Sequence, residues 1–390
     1  MALDLSRLDD ALADRGLDGH LLDADSSVPD QQYLSGFGAS DPFVTLYTPG
    51  TTALLVSSME YPRAQAESRA AAVRQFGDYG ARELIDEYGQ DEGRVRAIRR
   101  FLAEFDVDSV SVDRRFPVAT ADALRDLGVT VEPDLSDAVE RTRAVKTEAE
   151  IASIREAQRA NERAMTAAER LIAEADVEDG VLHDGGDPLT SERVRQTIEA
   201  TLLAEGCSLD ETIVACGTDS AVPHDQGSGP LLADEPIIVD IFPRDKTTRY
   251  HADMTRTFVR GDPDETVEEF YDLTAAAKAA ALDAVEPGVT GEAVHAAACD
   301  VYEDAGYPTL RTEESPERGY VHSTGHGVGL AVHERPSIGS HGEELEPGHV
   351  ITIEPGLYDR SVGGVRIEDL VVVTEDGYEN LTDYDESLVV

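Results

Sequence analysis

The chain has 390 residues, 41% of them hydrophobic, and its 79 acidic against 33 basic residues leave a formal net charge of −46. That balance argues against nucleic-acid binding, because no basic patch exists to neutralise phosphates, and the ordinary apolar content argues against disorder. Acid spread through every segment suits a protein working at very high salt, where screening removes self-repulsion, and the length accommodates two or three separate cores.

Residues 1–143 read as an alternating α/β unit. A helix over Ser6–Arg15 precedes a strand at Gly19-His-Leu-Leu, and strands at Phe43-Val-Thr-Leu-Tyr and Ala53-Leu-Leu-Val-Ser flank a turn at Pro49-Gly50. Helices are predicted over 63–73, 95–104 and 119–127, with strands at Ser109-Val-Ser-Val-Asp and Val129-Thr-Val. No catalytic pattern occurs in this unit. The texture changes near 140–146, so a second domain is placed over 144–390. Its first helix opens at Lys146-Thr-Glu-Ala-Glu-Ile, with a capping-box start at Thr147, and runs to about residue 175. Residues 176–188, rich in Gly and Asp, read as an exposed loop with His183 at the surface. The rest divides into two similar halves. One has helices over 148–175 and 190–205, then strands near 212–216, 236–242 and 252–259. The other has helices over 265–285 and 290–305, then strands near 320–323, 350–355 and 365–373.

The chemistry concentrates in the second domain. Five of the ten histidines fall between His322 and His349, and His322, His326 and His333 are spaced by four and seven. Imidazole is the commonest ligand for divalent transition metals and the commonest acid/base group near neutral pH. Glycines at 325, 327 and 329 allow close backbone approach. Pro236-Ile-Ile-Val-Asp240-Ile-Phe buries a carboxylate, which is costly unless it is paired or metal-bound. Asp253, in His251-Ala-Asp-Met-Thr-Arg-Thr-Phe, lies beyond a turn, so the two aspartates can share one face of a hairpin. Glu354, in His349-Val-Ile-Thr-Ile-Glu, and Glu368, in Val365-Arg-Ile-Glu, repeat that arrangement. Four carboxylates and one imidazole suit two divalent cations about 3.5–4 Å apart. A solvent-facing edge residue is a serious alternative for any one of these acids in so acidic a chain, but not for all five groups together.

These segments, with His326-Gly-Val-Gly-Leu-x-Val-His333-Glu-x-Pro and Glu354-Pro-Gly, resemble the signature of the pita-bread metallopeptidases, within which the chain is most similar to the Xaa-Pro aminopeptidase and prolidase branch. The resemblance implies an α+β protein with a C-terminal pita-bread catalytic domain and an N-terminal α/β creatinase-like domain. It implies two divalent ions (Mn²⁺, Co²⁺ or Zn²⁺) held by Asp240, Asp253, His326, Glu354 and Glu368. His224, His322 and His333 fall on its substrate-side histidines, with Arg366 beside Glu368 and Glu354 as the group that moves the proton of the attacking water. The implied reaction is hydrolysis of the Xaa-Pro bond of dipeptides or short peptides, by a homodimer. Phe242-Pro243 and a longer turn before Asp253 depart from the family pattern and bear on one edge of the pocket. A methionine aminopeptidase is the nearest rival, against which the N-terminal unit argues; an inactive peptide-binding member is another. Three scattered cysteines, no recognisable signal segment and no bilayer-length apolar run lead to the expectation of a cytoplasmic protein without membrane attachment.

Overall fold

The computed structural model describes residues 3–390, which form two compact units divided between Arg143 and Ala144. The first is built on a six-stranded mixed sheet in the spatial order Ala72–Gln75, Thr51–Val56, Phe43–Thr48, Gly19–Ala24, Ser109–Val112, Thr130–Pro133. Leu21, Val44, Leu46 and Val110 on the sheet bury against Ile98, Phe101 and Leu102 of the helix Gln90–Glu104, as its apolar stripe dictates. The helix expected over 63–73 stops at Glu67, and Val73 lies instead in an edge strand opposite Leu54. The alanine-rich sequence favours helix, but the Arg69 N–H bonds Ser35 O at 2.9 Å and pulls the chain onto the sheet edge. A short helix at Pro29–Ser35 and one at Ala81–Tyr88 were not foreseen.

The second unit follows the two-half pattern. Helices Glu148–Ala173 and Ser191–Ala204 pack on an antiparallel sheet ordered Thr212–Cys216, Ile237–Ile241, Met254–Phe258. Helices Glu265–Asp283 and Gly291–Asp304 pack on strands of the second half, in a five-stranded sheet ordered Glu334–Ile338, Gly325–Gly327, Val350–Ile353, Asp369–Thr374, Gly377–Asn380. The long helix starts as its sequence predicts: Glu150 N–H reaches Thr147 Oγ1 at 3.4 Å while Thr147 N–H returns to Glu150 Oε2 at 2.7 Å.

Three expectations need correction. Residues 176–188 are a small three-stranded sheet, Asp176–Glu178, Val181–Asp184 and Asp187–Pro188, in which His183 is half-buried. Asp179-Gly180 and Gly185-Gly186 all have positive φ, so the composition that reads as a loop is the chemistry of tight hairpin turns. No strand runs over 320–323; Tyr320 is buried against Tyr302, and the ladder begins at Gly325. The strand expected over 365–373 is two strands. Gly363–Arg366 pairs with Gly356–Asp359, Asp369–Thr374 pairs with Val350–Ile353, and Glu368 sits at the break.

Candidate metal centre and cavity

The aspartate hairpin aligns as the sequence requires. Asp240 stands opposite Thr255 and Ile241 opposite Met254, and continuing that register puts Asp253 and Asp240 on one face. On the other side, Gly325 and Gly327 let strands close tightly: a Cβ on either would lie 2.0 Å from Thr352 O or Arg335 O respectively. His326 between them is set by its N–H to Thr352 Oγ1 at 3.0 Å, and a bulge follows it. Glu354 leaves the end of its strand with its N–H on Thr324 O at 2.8 Å.

All nine residues singled out above (His224, Asp240, Asp253, His322, His326, His333, Glu354, Arg366 and Glu368) line one cavity of about 660 Å³, together with apolar Ile213, Pro223, Phe242 and Val332. Among the described residues, Asp253, His326 and Glu368 form a group whose donor atoms all lie within 4.8 Å of one another. His326 Nε2 is 3.8 Å from Asp253 Oδ2 and 3.4 Å from Glu354 Oε1. Its Nδ1 lies 3.2 Å from Gly327 O, a contact that assigns the proton to Nδ1 and leaves the Nε2 lone pair facing the acids.

Three of the four carboxylates are oriented by a neighbour, and the fourth residue is held through its backbone. Arg366 Nη2 donates to Asp240 Oδ2 at 2.7 Å and Thr255 Oγ1 to Glu368 Oε2 at 2.7 Å, whereas Asp240 Oδ1 and Glu368 Oε1 are buried with no partner among the described residues. Thr352 Oγ1 reaches Glu354 Oε1 at 3.3 Å, and Asp253 N–H is held by Gln158 Oε1 at 3.2 Å. Burial pushes the Asp253 and Glu368 carboxyls well up, and the neighbouring acids add to it. Burial also takes Glu354 up to about 8, against the pull of Arg366 and with help from Asp240. Buried acids that repel one another, two of them with an oxygen left unsatisfied, are a donor set for divalent cations, so the residues present fit such ions.

The histidines differ. His322 has both ring nitrogens engaged, Nδ1 with Ser323 O at 2.7 Å and Nε2 with Tyr358 OH at 2.9 Å. Tyr358 OH in turn accepts from Arg366 Nη1 at 2.9 Å, so a chain of contacts runs from His322 to Asp240. His333 and His224 are exposed to the cavity, and the His333 ring lies 4.3 Å from that of His326. Burial, together with repulsion from His224, lowers the His333 pKa despite Asp240. Sequence reasoning missed Thr255, Tyr358, Thr352 and Gln158. Thr255 and Thr352 stand in segments already singled out, Asp253-Met-Thr and His349-Val-Ile-Thr-Ile-Glu, where the hairpin alternation puts Thr255 on the Asp253 face, and Tyr358 lies just beyond Glu354-Pro-Gly.

Metallopeptidase family M24 matches residues 152–375, and the Creatinase/Prolidase N-terminal domain matches residues 5–145. The chain belongs to metallopeptidase family M24. It is 35% identical over 285 residues to a probable dipeptidase PepE of Mycobacterium tuberculosis, covering 73% of this chain and 68% of that one. It is 28% identical over 366 residues to the Xaa-Pro dipeptidase of Pyrococcus horikoshii, covering 93% and 92%. The crystal structure of the prolidase from Pyrococcus horikoshii OT3 superposes with a TM-score of 0.79 at 26% identity, covering 98% of this chain and 99% of that one. The expected fold class, a creatinase-like N-terminal domain with a pita-bread catalytic domain, is thereby borne out. Among the described residues no helix is long and apolar enough to cross a membrane.

Proposed function

We propose that this metallopeptidase hydrolyses the Xaa-Pro bond of dipeptides or short peptides, with two divalent ions held by Asp240, Asp253, His326, Glu354 and Glu368. The observation that carries the reading is the convergence of those four carboxylates and one imidazole in a single cavity, with Asp240 Oδ1 and Glu368 Oε1 buried and unpartnered. Cations bound there supply Lewis acidity, acidifying a water and polarising the scissile carbonyl. Mn²⁺, Co²⁺ and Zn²⁺ all suit this mixture of donors.

The remaining chemistry falls to side chains. Glu354 takes the proton of the attacking water and delivers it to the departing prolyl nitrogen, which leaves as a secondary amine and must be protonated as the C–N bond breaks. His333 or His224 donates to the carbonyl oxygen as its charge develops. Arg366, through Asp240 and Tyr358, keeps the first aspartate and His322 in place. Ile213, Pro223, Phe242 and Val332 offer an apolar wall to the pyrrolidine ring. The names of the relatives support a dipeptide substrate. We further infer a homodimer, on family resemblance, and a cytoplasmic location, to which three free cysteines lend support.

The test is hydrolysis of Ala-Pro, Ala-Pro-Ala and Met-Ala-Ala in molar salt, with and without added Mn²⁺, beside an Asp253→Asn variant. Metal-dependent cleavage before proline, lowered at least about a hundredfold in the variant, is the expected result. Cleavage of Met-Ala-Ala alone would move the enzyme to the methionine branch. Binding of ions and peptide with no cleavage would make it a binding protein.

A further inference from the structure

We propose that Lys146 and Glu334 are a positioning pair that holds His333 in the cavity, an inference resting on the role given to His333 above. Lys146 Nζ donates to Glu334 Oε1 at 2.7 Å, and the two side chains are 0% and 1% exposed. Neither end is adrift. Lys146 N–H bonds Gly348 O at 2.9 Å, Val145 bridges His349, and the capped helix Glu148–Ala173 follows directly. Glu334 opens the strand Glu334–Ile338 and stands opposite Gly327 in the ladder.

Between Gly329 and His333 the chain leaves the ladder and folds over the Glu334 carboxylate. Ala331 N–H reaches Glu334 Oε2 at 3.3 Å, and Gly329 N–H turns back to Ala331 O at 3.0 Å. A Cβ on Gly329 would lie only 2.3 Å from Glu334 Oε1, so the carboxylate rests on bare backbone. His333 is the last residue of this loop. It lies outside the strands that carry His326 and Glu334, and its ring stands 4.3 Å from the His326 ring.

A buried ion pair of this kind costs as much to desolvate as it returns in attraction, so stability is a poor reason for it. What it does supply is a fixed point: a carboxylate locked by an ammonium from a rigid helix entry, with the His333 loop wrapped around it. Loss of the pair is expected to free the imidazole, while the carboxylates stay held by the strands and strand ends that carry them.

The experiment uses the metal-loaded enzyme and the double variant Lys146→Met/Glu334→Met, which leaves no lone buried charge. Its kcat/KM on Ala-Pro-Ala is expected to fall about ten- to hundredfold, the loss typical of a displaced catalytic group, with metal content unchanged. Introduced into His333→Ala, the same double change should cause no further loss beyond about twofold, because its effect runs through that imidazole. Lys146→Arg alone, which keeps a cation opposite Glu334, should retain most of the activity. A double variant within about twofold of wild type, or an equal loss in both backgrounds, overturns the proposal. If the double variant does not fold, Glu334→Gln takes its place in the cycle. If wild type cleaves no Xaa-Pro peptide, the reading of the previous section fails separately. The pair is then tested by ring relaxation of labelled histidine in the Zn²⁺ form: unchanged His333 order in the variant refutes it, and loosening confined to His333 upholds it.

Discussion

At the scale of single residues, two of the carboxylates in the cavity, Asp240 and Glu368, are half-committed. Thr255 occupies one oxygen of Glu368 and leaves the other free. Thr255→Val keeps the shape of the strand and removes that bond. Its expected effect is a ten- to hundredfold weaker affinity for Mn²⁺, as is usual when the partner of a ligand is lost, read by chelator competition. A fold-neutral variant with unchanged affinity would show that the hydroxyl does not orient the ligand. The raised acids also fix how the metal-free protein responds to pH. Glu354, at about 8 in the fold against 4.5 in the open chain, keeps its proton longer when folded, so its contribution to stability is present at low pH and lost as pH rises towards 8. Buried His20 and His295 and half-buried His251, lowered to about 4, act in the opposite sense, but only below about pH 6.5. Between pH 6.5 and 8 the melting temperature of the metal-free protein is therefore expected to fall, and saturating Mn²⁺ to remove the trend. A flat metal-free profile in that window would contradict it. The acids and histidines were legible because charge in an apolar run is conspicuous. Thr255, Thr352 and Tyr358 were not, because neutral polar side chains are ordinary in strands, and only the register showed where they point.

At the scale of elements, local chemistry carried furthest. The reciprocal bonds of Thr147 and Glu150 are a property of four consecutive residues, and they start the long helix where the sequence places it. Thr147→Ala should lower unfolding free energy by about 1 kcal/mol, in the range of 0.5–2 for a lost cap, and denaturant titration would detect it. An unchanged midpoint would mean that tertiary packing alone fixes the helix start. Elements whose outcome depends on distant neighbours were harder to read. Val73 is in a strand because Leu54 is there to pair with it, and Gly363–Thr374 divides because its two ends find different partners. Hairpins at 176–188 were readable in principle, since Asp-Gly and Gly-Gly turns flank short apolar residues, but the density of polar residues hid them.

For the whole molecule, the dominant quantity is the net charge of −46. Its self-repulsion is felt over the Debye length, about 10 Å at 0.1 M salt and about 3 Å at 1 M. The melting temperature is accordingly expected to be higher in 2 M KCl than in 0.1 M KCl. Equal melting in both would mean that the acid is locally compensated and carries no adaptation to salt. The alternation of strand and helix in the first unit, and the two helix-helix-sheet halves of the second, were legible because hydrophobic periodicity repeats across each.

One feature of the cavity sets how far the catalytic unit can be taken apart. Asp240 comes from one sheet and Asp253 from just before one of its strands, His326 from another sheet, and the two glutamates from just beyond that sheet's strands, yet Asp253 and Glu368 present donors within 4.8 Å of each other. Neither half holds the full set. Chains cut between the halves would accordingly make two metal-silent fragments, and recovery of tight ion binding on mixing them would report their reassembly.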